Sequence, residues 1–166
     1  MRTSPLEAAR FYLHGLTSLY LQRPISQEEV EWLLVRRPPL GLPAGRLVFT
    51  EGEPADSALI VLRGRLQASV ATPDGPRVVG ESGAWEVIGE TALYAPDQPR
   101  SATVRALMDS TALVISRADL VAGQDQPVVA ALEYHLLHTM AQRIRATNQA
   151  IQDTWQELRE STAGIA

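Results

Sequence analysis

Apolar residues recur at intervals of three and four across residues 5–21, where Leu6, Ala9, Leu13, Leu16 and Tyr20 fall on one face. The spacing predicts an amphipathic helix, loosened near Gly15. A second helix is expected to run to about Val35, opening with Ser26-Gln-Glu-Glu29, in which the serine hydroxyl can receive the Glu29 N–H while the Glu29 carboxylate reaches back. Pro38 and Pro39 end it, because paired prolines neither continue the hydrogen bonding nor leave the preceding residue helical. From Gly45 the period shortens. Arg46–Thr50, Ala58–Leu62, Leu66–Ala71, Arg77–Gly80, Ser101–Ala106 and Ala112–Ser116 are β-prone, and turn signals at Glu51-Gly-Glu-Pro54, Arg63-Gly64, Pro73-Asp-Gly75 and Met108-Asp-Ser110 separate them. Strands this short and regularly punctuated predict an antiparallel jelly roll, which manages its edges by folding one sheet over another.

After Ser116, a cap residue, residues 117–122 predict a short helix ended by Gly123, and Pro127 suits the first position of a longer one. Val129, Leu132, Leu136, Met140, Ile144, Thr147, Ile151, Trp155 and Leu158 then recur every three or four residues, a seam of about thirty residues or ~45 Å. A domain this small cannot cover such a helix, so part of the stripe should meet another surface. A second copy of the chain, paired through residues 127–160, is the simplest one; a helix folded back on the β roll is the other possibility. The fold class is thus mainly β with flanking helices. Residues 1–44 are read as N-terminal helices, 45–123 as the roll and 124–166 as the long C-terminal helix.

Composition narrows the function. With 15 Lys and Arg against 19 Asp and Glu the net charge is −4, and no basic cluster appears, which argues against sequence-independent binding of nucleic acid or an anionic membrane. No cysteine means no disulfide and no thiolate metal site. The first ten residues carry charges where a signal peptide would be apolar, and no run reaches membrane-spanning length, so a cytoplasmic protein is expected. His14, His135 and His138 all fall on predicted helices, so the roll offers no histidine cluster for a metal enzyme. No Gly-x-Ser-x-Gly elbow or P-loop is present. No enzyme and no metal are expected.

The candidate chemistry lies in residues 87–106, Val-Ile-Gly-Glu-Thr-Ala-Leu-Tyr-Ala-Pro-Asp-Gln-Pro-Arg-Ser-Ala-Thr-Val-Arg-Ala. Gly89 lets backbone approach a ligand, and residues 91–94, between Gly89 and Pro96, can make one helical turn. Glu90 can accept from a sugar hydroxyl. Arg100 offers a planar, permanently charged fork for two phosphate oxygens, and Ser101 adds a hydroxyl and an N–H. The plainer possibility is a surface ion pair between Glu90 and Arg100.

Together, Gly89-Glu90 and Arg100-Ser101-Ala102, followed by Thr103-Val-Arg-Ala106, resemble the phosphate-binding cassette of the cyclic nucleotide-binding domain family, with the Glu-to-Arg interval of its catabolite activator protein branch. Glu51-Gly-Glu53, Pro54-Ala-Asp56 and Arg63-Gly64 resemble the glycine-turn pattern that precedes the cassette in that family. The resemblance implies a ligand site at Ile88, Gly89, Glu90, Thr91, Arg100, Ser101 and Ala102. The segment Met140-Ala-Gln-Arg-Ile-Arg-Ala-Thr-Asn148 resembles the dimer helix, whose adjacent polar pair contacts the base, which implies Thr147 and Asn148. Thr147 also sits on the apolar seam, where a buried hydroxyl needs a partner such as a purine edge. Two features depart from the family pattern: Gly83-Ala-Trp-Glu-Val-Ile-Gly89 is two residues longer between its glycines, and Thr91 replaces an aliphatic residue.

The resemblance therefore implies a regulatory domain that binds a cyclic nucleotide, cAMP before cGMP, and moves its C-terminal helix in response. The helix-turn-helix module of catabolite activator relatives has no counterpart after the long helix here, so this chain alone is not expected to bind nucleic acid. A ligand-free β-roll interaction module dimerising through its helix, or a transcription regulator truncated before its DNA-binding domain, are the alternatives.

Overall fold

The computed structural model describes residues 4–95 and 97–163. Pro96, read above as a boundary of the cassette turn, and the three residues at each end lie outside that set. The chain runs α1 (Pro5–Leu21), α2 (Gln27–Arg36), β1 (Leu40–Leu42), β2 (Leu47–Phe49), β3 (Ser57–Arg63), β4 (Leu66–Thr72), β5 (Gly75–Ser82), β6 (Val87–Ile88), α3 (Thr91–Tyr94), β7 (Thr103–Ala106), β8 (Ser110–Ser116), α4 (Arg117–Ala122) and α5 (Pro127–Ala163). Two antiparallel four-stranded sheets, in the orders β1-β8-β3-β6 and β2-β7-β4-β5, fold over one another. The expected jelly roll with flanking helices and a long C-terminal helix is present.

The sheets enclose one core, containing Leu42, Leu59, Val61, Leu66, Ile88, Val104 and Ala112. The helices close a second core on the outer face of the first sheet, where Leu13, Leu33, Leu132 and Leu136 meet Ile60, Leu113 and Ile115. Strand β3 explains its own sequence. Leu59 and Val61 face the roll while Ala58, Ile60 and Leu62 face the helices, so a strand buried on both sides reads as an unbroken apolar run.

The caps form as the sequence suggests. Ser26 and Glu29 complete a reciprocal capping box, and so do Ser4 with Glu7 and Ser116 with Asp119. Helix α1 continues through Gly15 without a break. Gly123 does end α4, but at φ −107°, not in the left-handed conformation that a glycine cap usually supplies. Space is the reason, because a Cβ there would stand 2.5 Å from a Val129 methyl and 2.6 Å from the Trp32 ring.

Two strands were not expected. β1 lies between Pro39 and Pro43 and pairs at a sheet edge with Ala112–Ser110 of β8, where flanking prolines are tolerated. β6 has only two residues, pairing Val87 with Ile60 and Ile88 with Leu59, and it delivers the chain into the cassette. Helix α5 is 37 residues long, roughly 55 Å. Its first three turns bury Val128, Val129, Ala131, Leu132 and Leu136, whereas residues 141–161 are exposed on every face. No helix among the described residues is long and apolar enough to cross a membrane.

Candidate functional site

Strand β6 ends at Ile88; the next residue, Gly89, has a φ of +79° in the left-handed region, and the turned chain enters α3 with Glu90 as its cap. A side chain at residue 89 is excluded twice over. Its Cβ would sit 2.8 Å from Arg100 Nη1 and 3.0 Å from the Phe49 ring. The Arg100 guanidinium therefore lies directly against the glycine that precedes Glu90.

Arg100 is held by groups of the chain itself. Its backbone N–H donates to the Glu53 carbonyl and its carbonyl accepts from Gly52 N–H, both at 2.8 Å, so the turn between β2 and β3 fixes its position. The guanidinium donates to the Ser57 carbonyl (2.6 Å) and hydroxyl (3.1 Å) and stacks 3.6 Å from the Phe49 ring centre. The residue is 8% exposed. Burial lowers its pKa, and Asp56 and Glu53 oppose that; an arginine stays charged throughout the physiological range regardless. Two of its five N–H donors are spent on Ser57.

Glu90 is 3% exposed, and its carboxylate accepts from Arg143 of α5 at 2.5 Å. Arg143 also donates to the Val87 carbonyl. One arginine thus joins the long helix to both the strand before the cassette glycine and the carboxylate after it. Glu90 and Thr91 share an open concavity of about 480 Å³ with Met140, Arg143, Ile144, Thr147 and Asn148, within the size range of small-molecule sites.

The expected residues therefore divide. Glu90, Thr91, Thr147 and Asn148 share that concavity, and Arg100 stands against Gly89 beside it. Ile88 is buried in the roll core, so only its backbone faces the cassette. Ser101 is exposed and Ala102 partly buried. Thr147, expected to be buried on the seam, is exposed, as is every described residue from 141 to 161. Of the three histidines, all stand on α1 or α5, and no group of three or more metal-ligating side chains occurs among the described residues.

The residues that sequence reasoning missed are Arg143, Ser57 and Phe49. Arg143 had a usable signal: it lies one helical turn before Thr147 and so shares its face, which Arg145 does not. Ser57 and Phe49 had none, since both depend on how β2 and β3 cross beneath the cassette.

A family model for the cyclic nucleotide-binding domain matches residues 40–123, just over half of the chain. The chain belongs to this family. Among curated proteins, a CRP-like cAMP-activated global transcriptional regulator of Mycobacterium tuberculosis is 29% identical over 117 residues, 69% of this chain and 50% of its own length. The cyclic nucleotide-binding domain described here thus spans about half of that relative. The N-terminal domain of a transcriptional regulator from Streptomyces coelicolor A3(2) aligns at 30% identity and TM-score 0.58, covering 90% of this chain and 92% of that one. A cyclic nucleotide-binding domain from Methylobacillus flagellatus KT shares the fold at TM-score 0.72 and 22% identity, covering 93% and 97%.

Proposed function

We propose that the protein is a receptor for a cyclic nucleotide, cAMP in preference to cGMP, and that it answers the ligand through α5. The observation that carries this reading is that cassette and long helix face one concavity, with Glu90 and Thr91 on one wall and Arg143, Thr147 and Asn148 on the other. In this account Arg100, with Ser101 beside it, takes the phosphate oxygens with the N–H groups that Ser57 leaves unused. Glu90 takes the ribose hydroxyl. The Thr147 hydroxyl and the Asn148 amide meet the base edge. The mycobacterial relative is described as cAMP-activated, which supports the choice of nucleotide.

The response follows from competition for one carboxylate. Glu90 is satisfied by Arg143, and that pair ties α5 to the cassette. A ribose hydroxyl donating to Glu90 shares that carboxylate, and the phosphate offers Arg143 a second anion. The ligand then has unequal affinity for two positions of α5, which is what a switch requires. Residues 45–123 hold the phosphate and the ribose, and residues 124–166 meet the base and carry the response. The apolar residues on the outer half of α5 pair two copies of the chain. No bond of the nucleotide is broken, and the protein is a regulatory domain, not an enzyme.

One observation favours a second reading. Glu90 and Arg100 both have partners already, as they would in a ligand-free module that uses them as internal ties. Thermal denaturation separates the two. Excess cAMP at ~100 times its Kd raises native stability by about 2.7 kcal/mol, and cGMP raises it less. An unmoved midpoint with both nucleotides refutes the receptor reading.

A further inference from the structure

The loop between β5 and β6 is the segment that departs from the family pattern by two residues. Trp85 within it holds φ at +73°, a conformation that a bulky side chain adopts only under steric strain. The loop is closely tied nonetheless. Trp85 N–H donates to the Val61 carbonyl at 2.7 Å, and the Glu86 carboxylate is turned back onto Gly83 N–H at 2.6 Å. What the strained turn achieves is contact: the Trp85 indole stacks on Tyr12 of α1 with ring centres 5.2 Å apart and planes 9° from parallel. Tyr12 in turn meets His135 of α5 edge-on at 5.9 Å, and the Tyr20 hydroxyl lies 3.3 Å from His135 Nδ1. Three elements therefore close on one imidazole.

The Tyr12 hydroxyl is buried without a hydrogen-bond partner among the described residues, and the Trp85 backbone faces the His135 ring closely enough to favour its protonated form. We propose that Trp85, Tyr12, Tyr20 and His135 form a proton-sensitive clasp, which keeps β6 and α5 docked while His135 is neutral and opens when the ring takes a proton.

The surroundings supply the reason. A neutral ring accepts from the Tyr20 hydroxyl through Nδ1, whereas protonation turns that nitrogen into a donor. The groups that face it are the hydroxyls of Tyr12 and Tyr20 from α1, the indole and backbone of Trp85 from the loop, and His138 one turn along α5. The loop's own carboxylate, Glu86, is engaged by Gly83, and no carboxylate is hydrogen-bonded to His135 among the described residues. Burial first, and then His138, lower the pKa of His135 from its ordinary value of 6.5, while the Trp85 backbone weakly opposes them. A base lowered in the folded state contributes its full stability above the unfolded value, and loses it as pH falls below ~6.5 toward the folded value. Tyr12 is pushed up by burial and stays a neutral hydroxyl across that range.

Position gives the clasp a role. Trp85 stands just before β6, which leads into Gly89-Glu90, and His135 precedes Arg143 by about two turns of α5. The clasp grips the same two elements that Glu90 and Arg143 join. Its effect on affinity rests on the nucleotide-receptor reading; its proton sensitivity does not.

The test follows the indole N–H signals of Trp32, Trp85 and Trp155 by NMR in the ligand-free full chain, from about pH 8 to about pH 5, with Trp85 assigned by its loss in Trp85→Phe. The Trp85 signal is expected to move with a midpoint below ~6.5. The movement disappears in His135→Gln. In His138→Gln it persists with a raised midpoint, because a repelling cation is gone. A Trp85 signal that ignores pH, one that moves unchanged in His135→Gln, or one whose midpoint stays fixed in His138→Gln overturns the clasp. Calorimetry with cAMP at the two ends of the range should find binding several-fold weaker at the acid end, and pH-independent in His135→Gln. Equal wild-type affinity at both ends refutes the link from clasp to site. Absence of binding at either pH refutes the receptor reading and leaves the tryptophan signal to judge the clasp.

Discussion

Arg100 reaches its place through other residues' choices. Ser57 fixes two of its N–H groups, Phe49 supports its plane and Gly89 makes room for it. A guanidinium oriented in advance loses little freedom on binding, which is how preorganisation gains affinity. Replacing Gly89 by Ala should therefore cost twice. The positive φ and the 2.8 Å approach to Nη1 should lower stability by about 1–3 kcal/mol in chemical denaturation, and displaced Arg100 should weaken nucleotide binding as well. Arg100→Lys should not rescue function, since an ammonium can neither stack on Phe49 nor present two parallel donors. At this scale the sequence was informative about Glu90 and Arg100, because their types and interval are local. It was silent on what each contacts within the chain. Arg143 reaches Glu90 from 53 positions away, and only the docking of α5 beside the cassette brings them together.

Among the elements, α4 shows how a short helix is secured. The buried Asp119 carboxylate accepts from Ser116 N–H at 2.7 Å, from the Ser116 hydroxyl at 2.6 Å and from Arg37 at 2.8 Å, pinning the end of α2 to the start of α4. Burial alone would raise the Asp119 pKa, but the bonds from Ser116 and Arg37 outweigh it and hold the value below 3.8. A carboxylate lowered in the folded state stabilises above its unfolded pKa, and loses that contribution as pH falls through the lower folded value. Asp119→Ala should therefore lower stability by about 1–3 kcal/mol at neutral pH. Its deficit relative to the parent chain, followed by denaturation, should shrink in strong acid. The capping box of α2 could be read from Ser26 and Glu29, and for α4 the cap Ser116 could be read but not its return bond to Asp119. The strands β1 and β6 could not, because three residues between prolines and two residues before a glycine carry too little pattern, and only their pairing with β8 and β3 makes them strands.

For the whole molecule the governing feature is that α5 outgrows the body it leaves. Its first turns complete the core beneath the first sheet, while Ile144, Ile151, Trp155 and Leu158 are each at least half exposed farther along. Leu137, Ile144, Ile151 and Leu158 recur every seven residues, the period of a seam that faces a partner helix. Replacing Ile144 and Ile151 together by Asp should shift sedimentation to the monomer, and an unaltered dimer would locate the interface elsewhere. The sequence periodicity predicted a long helix of about thirty residues where 37 are helical, whereas the point of divergence near Met140 is set by the extent of α1 and the first sheet. The cassette and the helix meet at one concavity, and the account depends on a nucleotide bridging them. Calorimetric titration of cAMP into the wild-type chain and into Arg100→Ala tests this most directly. The account predicts saturable binding that the substitution weakens by about 2–5 kcal/mol; equal affinity in the two chains would contradict it.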